Sequence, residues 1–150
     1  MPMKIIITLF LVLFELSAFA QKDLSYDGYY VSVPDSNSMS MFKYYLRFYQ
    51  DGSVIGVTTA GKPANLVPWF KKENKTPYKG RYTLSDSTIK FSMISEQGDV
   101  TYEGKLTADN KLMLTVRSLI NKYEGKEEYG FMKMEVIKSN PQAEGSSSKN

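Results

Sequence analysis

From residue 28 onward the chain is a succession of short runs in which apolar and polar residues alternate, cut at close intervals by Gly, Asp, Asn and Pro. Neighbouring strand side chains point to opposite faces, so a period of two gives each run one apolar face and one wet face. Almost nothing in these residues has the 3.6-residue period of an amphipathic helix. The clearest run is residues 42–50 (FKYYLRFYQ). Phe42, Tyr44, Leu46 and Phe48 form its expected core face, and Lys43, Tyr45, Arg47 and Tyr49 its outer one. Eight strands are expected, over residues 28–33, 42–50, 53–60, 78–84, 88–94, 100–107, 111–118 and 128–137. Such a pattern belongs to an antiparallel sandwich or barrel.

The connections say how these strands are ordered. Asp51-Gly52 between the second and third runs predicts a hairpin, with the type I′ turn that needs positive φ at both central residues. Residues 85–87, 96–99 and 108–110 are short turns, so sequential strands are expected to be neighbours in a meander. A weak repeat runs through the middle: Tyr78-x-Gly80 opens one hairpin, Tyr102-x-Gly104 the next, and Tyr123-x-Gly125 echoes their start. Glycine inside a strand permits strong bending, so Gly56, Gly80, Gly104 and Gly130 point to a coiled sheet that closes on itself. Closure also removes sticky free edges. The expected fold is all-β, an eight-stranded antiparallel meander barrel; at that strand number a barrel is filled by side chains or holds one small ligand.

With the Gly28-x-Tyr30 start and the Phe48-x-x-Asp51-Gly52-x-Val54 hairpin, the pattern over residues 26–137 resembles the lipocalin-like, or calycin, barrels. The resemblance implies an eight-stranded antiparallel meander behind a signal peptide.

Residues 1–20 have the layout of a secretory signal peptide, expected as a helix: Lys4, then the apolar residues 5–14, then Ala18-Phe19-Ala20 before Gln21. The apolar stretch is short of the roughly 20 residues that span a bilayer, and Glu15 interrupts it. The sequence holds no cysteine, so neither a lipidated junction nor a disulfide is expected. The expected division is a signal peptide over 1–20, the barrel over 21–138 and a disordered Ser- and Gly-rich tail over 139–150. The product is thus expected to be exported, to the periplasm or beyond, with no stable membrane anchor after cleavage. Its net charge of +3 is dispersed, which argues against a nucleic-acid partner. Lys71, Lys72 and Lys75 are expected to be a solvated loop cluster.

One connection is long. Residues 61–77 (GKPANLVPWFKKENKTP) carry the chain's only tryptophan, and Leu66, Val67, Trp69 and Phe70 are too apolar to stay in water together. Three placements fit: a plug closing one barrel end, a lid over a ligand cavity, or an exposed partner patch. The chain has eleven tyrosines, of which Tyr44, Tyr82 and Tyr102 fall on expected inward faces. Their hydroxyls either orient a ligand or bond backbone and water at the barrel ends. The candidate ligand-binding set is Tyr44, Phe48, Leu66, Trp69, Phe70, Tyr82, Phe91 and Tyr102.

With neither histidine nor cysteine, the chain lacks Ser-His-Asp and Cys-His nucleophile systems, His-held metal or haem, and thiol redox chemistry. It has no phosphate loop or dinucleotide fingerprint. Its aspartates sit at turns and strand ends, and Glu103, Glu124, Glu127, Glu128 and Glu135 are expected on the solvent face. No catalytic, metal or cofactor role is expected. The leading expectation is an exported, non-enzymatic barrel that binds a small apolar or amphipathic ligand. The alternative is an interaction module for an envelope protein, an inhibitor or accessory subunit with a solid barrel, using Tyr45, Arg47 and Tyr49.

Overall fold

The structure, a computed structural model, describes residues 23–35, 39–75 and 78–134. The expected signal peptide, the tail and Glu135 lie outside the described residues. Eight strands follow in order: β1 (Gly28–Ser32), β2 (Lys43–Phe48), β3 (Ser53–Thr59), β4 (Tyr78–Ser85), β5 (Thr88–Ser95), β6 (Gly98–Leu106), β7 (Lys111–Ser118) and β8 (Glu124–Lys133). Each pairs antiparallel with the next, and β8 pairs with β1, so the sheet is a closed all-β barrel. Alternation placed the strands well except the last. β8 begins at Glu124, four residues before the expected start.

The β2–β3 hairpin forms as expected, with Phe48 opposite Val54, but its turn is different. Tyr49 N–H donates to Ser53 O (3.0 Å) and Gly52 N–H to Tyr49 O (3.1 Å), with positive φ at Gly52 and not at Asp51. This is a three-residue loop, Gln50-Asp51-Gly52, that ends in a left-handed glycine. The β6–β7 turn repeats the device with Asn110 in the left-handed position (φ 61°).

These turns and the start of β1 gather at one end of the barrel, and residues 24–26 seal it. Leu24 is buried in the interior cluster. Ser25 N–H donates to the Tyr30 hydroxyl (3.2 Å), which donates to Asn110 Oδ1 (2.8 Å), and Asn110 Nδ2 donates to Ser25 Oγ (2.9 Å). Tyr26 and Tyr82 share a hydroxyl hydrogen bond of 3.1 Å. Above this seal the interior is filled with rings. Phe48 meets Tyr30, Tyr82 and Phe91 edge-on at 5.2–5.6 Å, and Phe91 stacks on Tyr102 at 4.5 Å. Each such pair adds about 0.5–1.5 kcal/mol beyond the area it buries.

A second apolar cluster lies outside the barrel. The outward residues Tyr29, Tyr45, Ile55 and Val57 of β1–β3 pack with Leu66 and Phe70 from the long connection. That connection forms two short 3-10 turns, Pro63–Asn65 and Val67–Phe70, each with a proline in its first turn. Phe70 stacks on Tyr29 at 6.0 Å, and its carbonyl accepts the Tyr49 hydroxyl. Lys72 then pairs with Asp51 at the sealed end. Residues 61–72 are therefore a strap down the outer wall. They are neither the plug nor the lid that the sequence led us to expect; Leu66 and Phe70 are buried, whereas Val67 and Trp69 stay exposed, at 37% and 45%. The physical reason is the double apolar character of β1–β3, whose outer faces also have to be covered.

Candidate functional site

At the other end the barrel is open. Here run the β1–β2 connection, the β5–β6 turn and the β7–β8 connection, and the long strap leaves from the end of β3. Between them is a cavity of about 770 Å³. One part of its wall is apolar: Leu46 from β2, Met93 from β5, Val100 from β6 and Val116 from β7. Gly56 contributes bare backbone opposite Leu46, and the Met93 methyl group lies over it. Tyr44, Thr58, Tyr78 and Tyr123 stand at the mouth, while Tyr102, Glu127 and Tyr129 lie deeper along β6 and β8.

The Tyr-x-Gly repeat has a structural meaning here. Tyr78, Tyr102 and Tyr123, the tyrosines of its three copies, all line the cavity. Two positions on, Gly80 and Gly104 sit where neighbouring strand backbone leaves no room for a side chain. A Cβ at Gly80 would lie 3.0 Å from Ser92 C and closer still to its oxygen. Strong coiling at these glycines wraps the tyrosine-bearing ends of the strands around one space.

Glu127 is the residue that the sequence reading misplaced. It pairs with Leu114 on β7 and shares a face with Tyr129, which pairs with buried Leu112, so it points into the barrel and not to solvent. Tyr129, fully buried, donates its hydroxyl to Glu127 Oε2 at 2.5 Å. Burial pushes the Tyr129 phenol far above its ordinary value, and the nearby Glu127 charge pushes it further. Tyr102 is raised for the same reasons, burial first and then Glu127, with Tyr44 and Tyr78 adding to it. Burial and Glu127 raise Tyr123 as well. These phenols remain protonated donors at neutral pH, grouped around one carboxylate. The signal for Glu127 was present as Glu127-x-Tyr129-x-Phe131, but a strand begun at Glu128 cut it off. Glu103, Glu124 and Glu128 do lie outward, paired with Lys90 (2.7 Å), Arg117 (3.2 Å) and Lys111 (2.9 Å).

The eight candidate residues divide into three groups. Tyr44 and Tyr102 line the cavity. Phe48, Tyr82 and Phe91 point inward but belong to the filled half, and Tyr82 donates to Tyr49 O at 2.9 Å. Leu66 and Phe70 are buried in the outer cluster and Trp69 is on the strap, all away from the mouth. Phe42, expected in the core, is exposed at the rim. The residues expected as an outer docking face are covered too. Tyr45 is 2% exposed, Tyr49 bonds the strap, and the Arg47 guanidinium lies over the Tyr49 ring at 5.1 Å with its Nε buried and unbonded.

A second depression, of about 910 Å³, crosses the outer faces of β4–β7. Its walls are solvent-facing side chains such as Arg81, Lys90, Glu103 and Arg117, and it lies open to water along its length, so it encloses nothing. No protein-family model, curated protein or solved structure matches the chain, so the geometry is compared with no relative.

Proposed function

We propose that this is an exported, lipocalin-like binding protein that takes up a small amphipathic molecule in the open half of its barrel and performs no covalent chemistry on it. The observation that carries this reading is the cavity of about 770 Å³, sealed below by packed rings and residues 24–26 and open above. Ligand sites are concave and mainly apolar, with a few placed polar groups, and run to about 300–1,000 Å³. The apolar wall of Leu46, Met93, Val100 and Val116 suits an aliphatic or aromatic body, and the phenols and Glu127 beside it suit a polar head. Export rests on residues 1–20, and the absence of an enzymatic role rests on a chain without histidine or cysteine. The alternative, an envelope interaction module, loses support because its expected contact residues lie under the strap.

The test is titration with N-phenyl-1-naphthylamine, an uncharged probe that fluoresces in apolar surroundings. One saturable site is expected, with emission quenched in Thr58→Trp, where an indole added at the exposed mouth position obstructs entry. No saturable binding, or unchanged binding in that variant, would overturn the proposal.

A further inference from the structure

The polar side of the cavity is built for a positive charge. Along β1–β8, strand alternation directs one ionisable side chain other than tyrosine into the open half of the barrel, and it is Glu127. Among the described residues it forms no ion pair, and the hydrogen bond it accepts comes from the phenol of Tyr129. A carboxylate has two oxygens with about four acceptor sites, so the Tyr129 phenol leaves acceptor capacity open. A cation held beside this half-buried carboxylate gains a charge-assisted hydrogen bond, about twice as strong as a neutral one. At the rim Asp35 and Lys126 offset one another, and Glu128 is held outward by Lys111, so Glu127 is the charge that faces the cavity.

The rings supply a second attraction. Tyr44, Tyr102, Tyr123 and Tyr129 line the same cavity as the carboxylate, so four phenol rings share its space. The negative face of a phenol ring attracts a cation within about 6 Å of its centroid. A protein whose overall charge is +3 thus has an aromatic cavity whose inward-facing charge is acidic.

We infer that the cavity selects a cationic amphiphile, an amine or other organic cation with an apolar tail, whose positive head sits on Glu127 among Tyr44, Tyr102, Tyr123 and Tyr129. This rests on the reading of the barrel as a ligand-binding protein and adds the ligand's charge to it. The tail lies against Leu46, Met93 and Val116, and the ammonium donates to the Glu127 acceptor sites that the Tyr129 phenol leaves open.

The experiment uses three ten-carbon probes at pH 7, each kept below its micelle-forming concentration: decylammonium, decanol and decanoate, by calorimetry. Decylammonium is expected to bind about tenfold or more tightly than decanol, the usual difference between charge-assisted and neutral hydrogen bonds, and decanoate more weakly than decanol. Glu127→Gln keeps the shape and an acceptor for Tyr129; it should bring decylammonium down to the affinity of decanol and leave decanol unchanged. Glu103→Gln, on the outer wall, should preserve the order of the three. Tyr44→Leu, at a half-exposed mouth position, should weaken decylammonium about twofold to fivefold relative to decanol, as loss of one cation–π contact would. Circular dichroism and thermal melts check that each variant is folded, and Tyr44→Leu stands alone as the test if Glu127→Gln is not. Equal binding of decylammonium and decanol by the native protein, or a preference that survives Glu127→Gln in folded protein, overturns this inference and leaves the ligand-binding reading intact. Binding of none of the three overturns both.

Discussion

Adding a single methyl group at Gly104, and separately at Gly130, should have opposite consequences although both glycines lie inside strands of one barrel. Gly104 faces the interior from β6, opposite Leu114 on β7. An alanine Cβ there would come within 2.8 Å of Met113 C and 2.9 Å of Leu114 Cα, and closer to the Met113 oxygen. Carbon atoms rest at about 3.5–4.0 Å, so β6 and β7 must separate by roughly half an ångström or more. All three obstructing atoms are backbone, so no side-chain rotation relieves them. A shift of that size carries ladder hydrogen bonds beyond about 3.2 Å. With two bonds weakened and their groups poorly satisfied, Gly104→Ala should cost about 2–4 kcal/mol. That is a large share of the 5–15 kcal/mol that roughly bounds a domain's stability. At Gly130, on the outer face of β8, a Cβ would meet nothing within 4 Å. Gly130→Ala should leave stability unchanged or raise it by up to about 1 kcal/mol, because alanine has less unfolded-state entropy to lose. Urea unfolding followed by circular dichroism measures both variants. Equal losses, or a Gly104→Ala protein as stable as native, would refute the claim that coiling at Gly104 requires a residue without a side chain.

Two further outcomes follow from the described contacts. Phe70→Ala removes the ring that stacks on Tyr29 and should destabilise by about 3 kcal/mol, within the usual cost of truncating a buried phenylalanine. Its affinity for N-phenyl-1-naphthylamine should stay within about twofold, since the strap is far from the mouth; a large loss of affinity in folded protein would put the strap at the site. Alkaline titration provides the other. In the unfolded chain tyrosines ionise near the ordinary value of 10.0, whereas burial keeps Tyr102 and Tyr129 protonated well above it. The unfolded state therefore sheds protons first, and stability that is fully present below pH 10 falls as the pH rises from there. Absorbance at 295 nm should show a subset of the eleven tyrosines that ionises only as circular dichroism is lost. All of them titrating together near the ordinary value in folded protein would contradict the buried phenol cluster.

The strands were legible because their two signals are local. Period-two alternation marks a strand and its faces, and residues such as Asp51-Gly52 or Asp109-Asn110 mark where it reverses. Local signals also carry local errors. Asp-Gly predicts a reversal, but whether the loop has two or three residues depends on strand register, and here Tyr49 pairs with Ser53. Glu127 was misplaced for a related reason. The start of β8 is polar, Glu124-Gly125-Lys126-Glu127-Glu128, and is held as a strand by its ladder to β7 and not by its own alternation. The strap was misjudged because the apolar outer faces of Tyr29, Tyr45, Ile55 and Val57 come from three separate strands. They form one surface only after the sheet is assembled.

By itself the sequence determined the all-β class, the number and order of the strands and the inward face of β2, because each depends on residues close together along the chain. Only the tertiary structure decided where β8 begins, that residues 24–26 seal one end, and that the strap lies outside. It also decided which inward residues are core and which are cavity wall. Alternation says to which side of a strand a residue points, but not how far along the barrel axis it lies. That height is set by the stagger between neighbouring strands, and it places Phe48 in the ring-filled half and Glu127 in the open one.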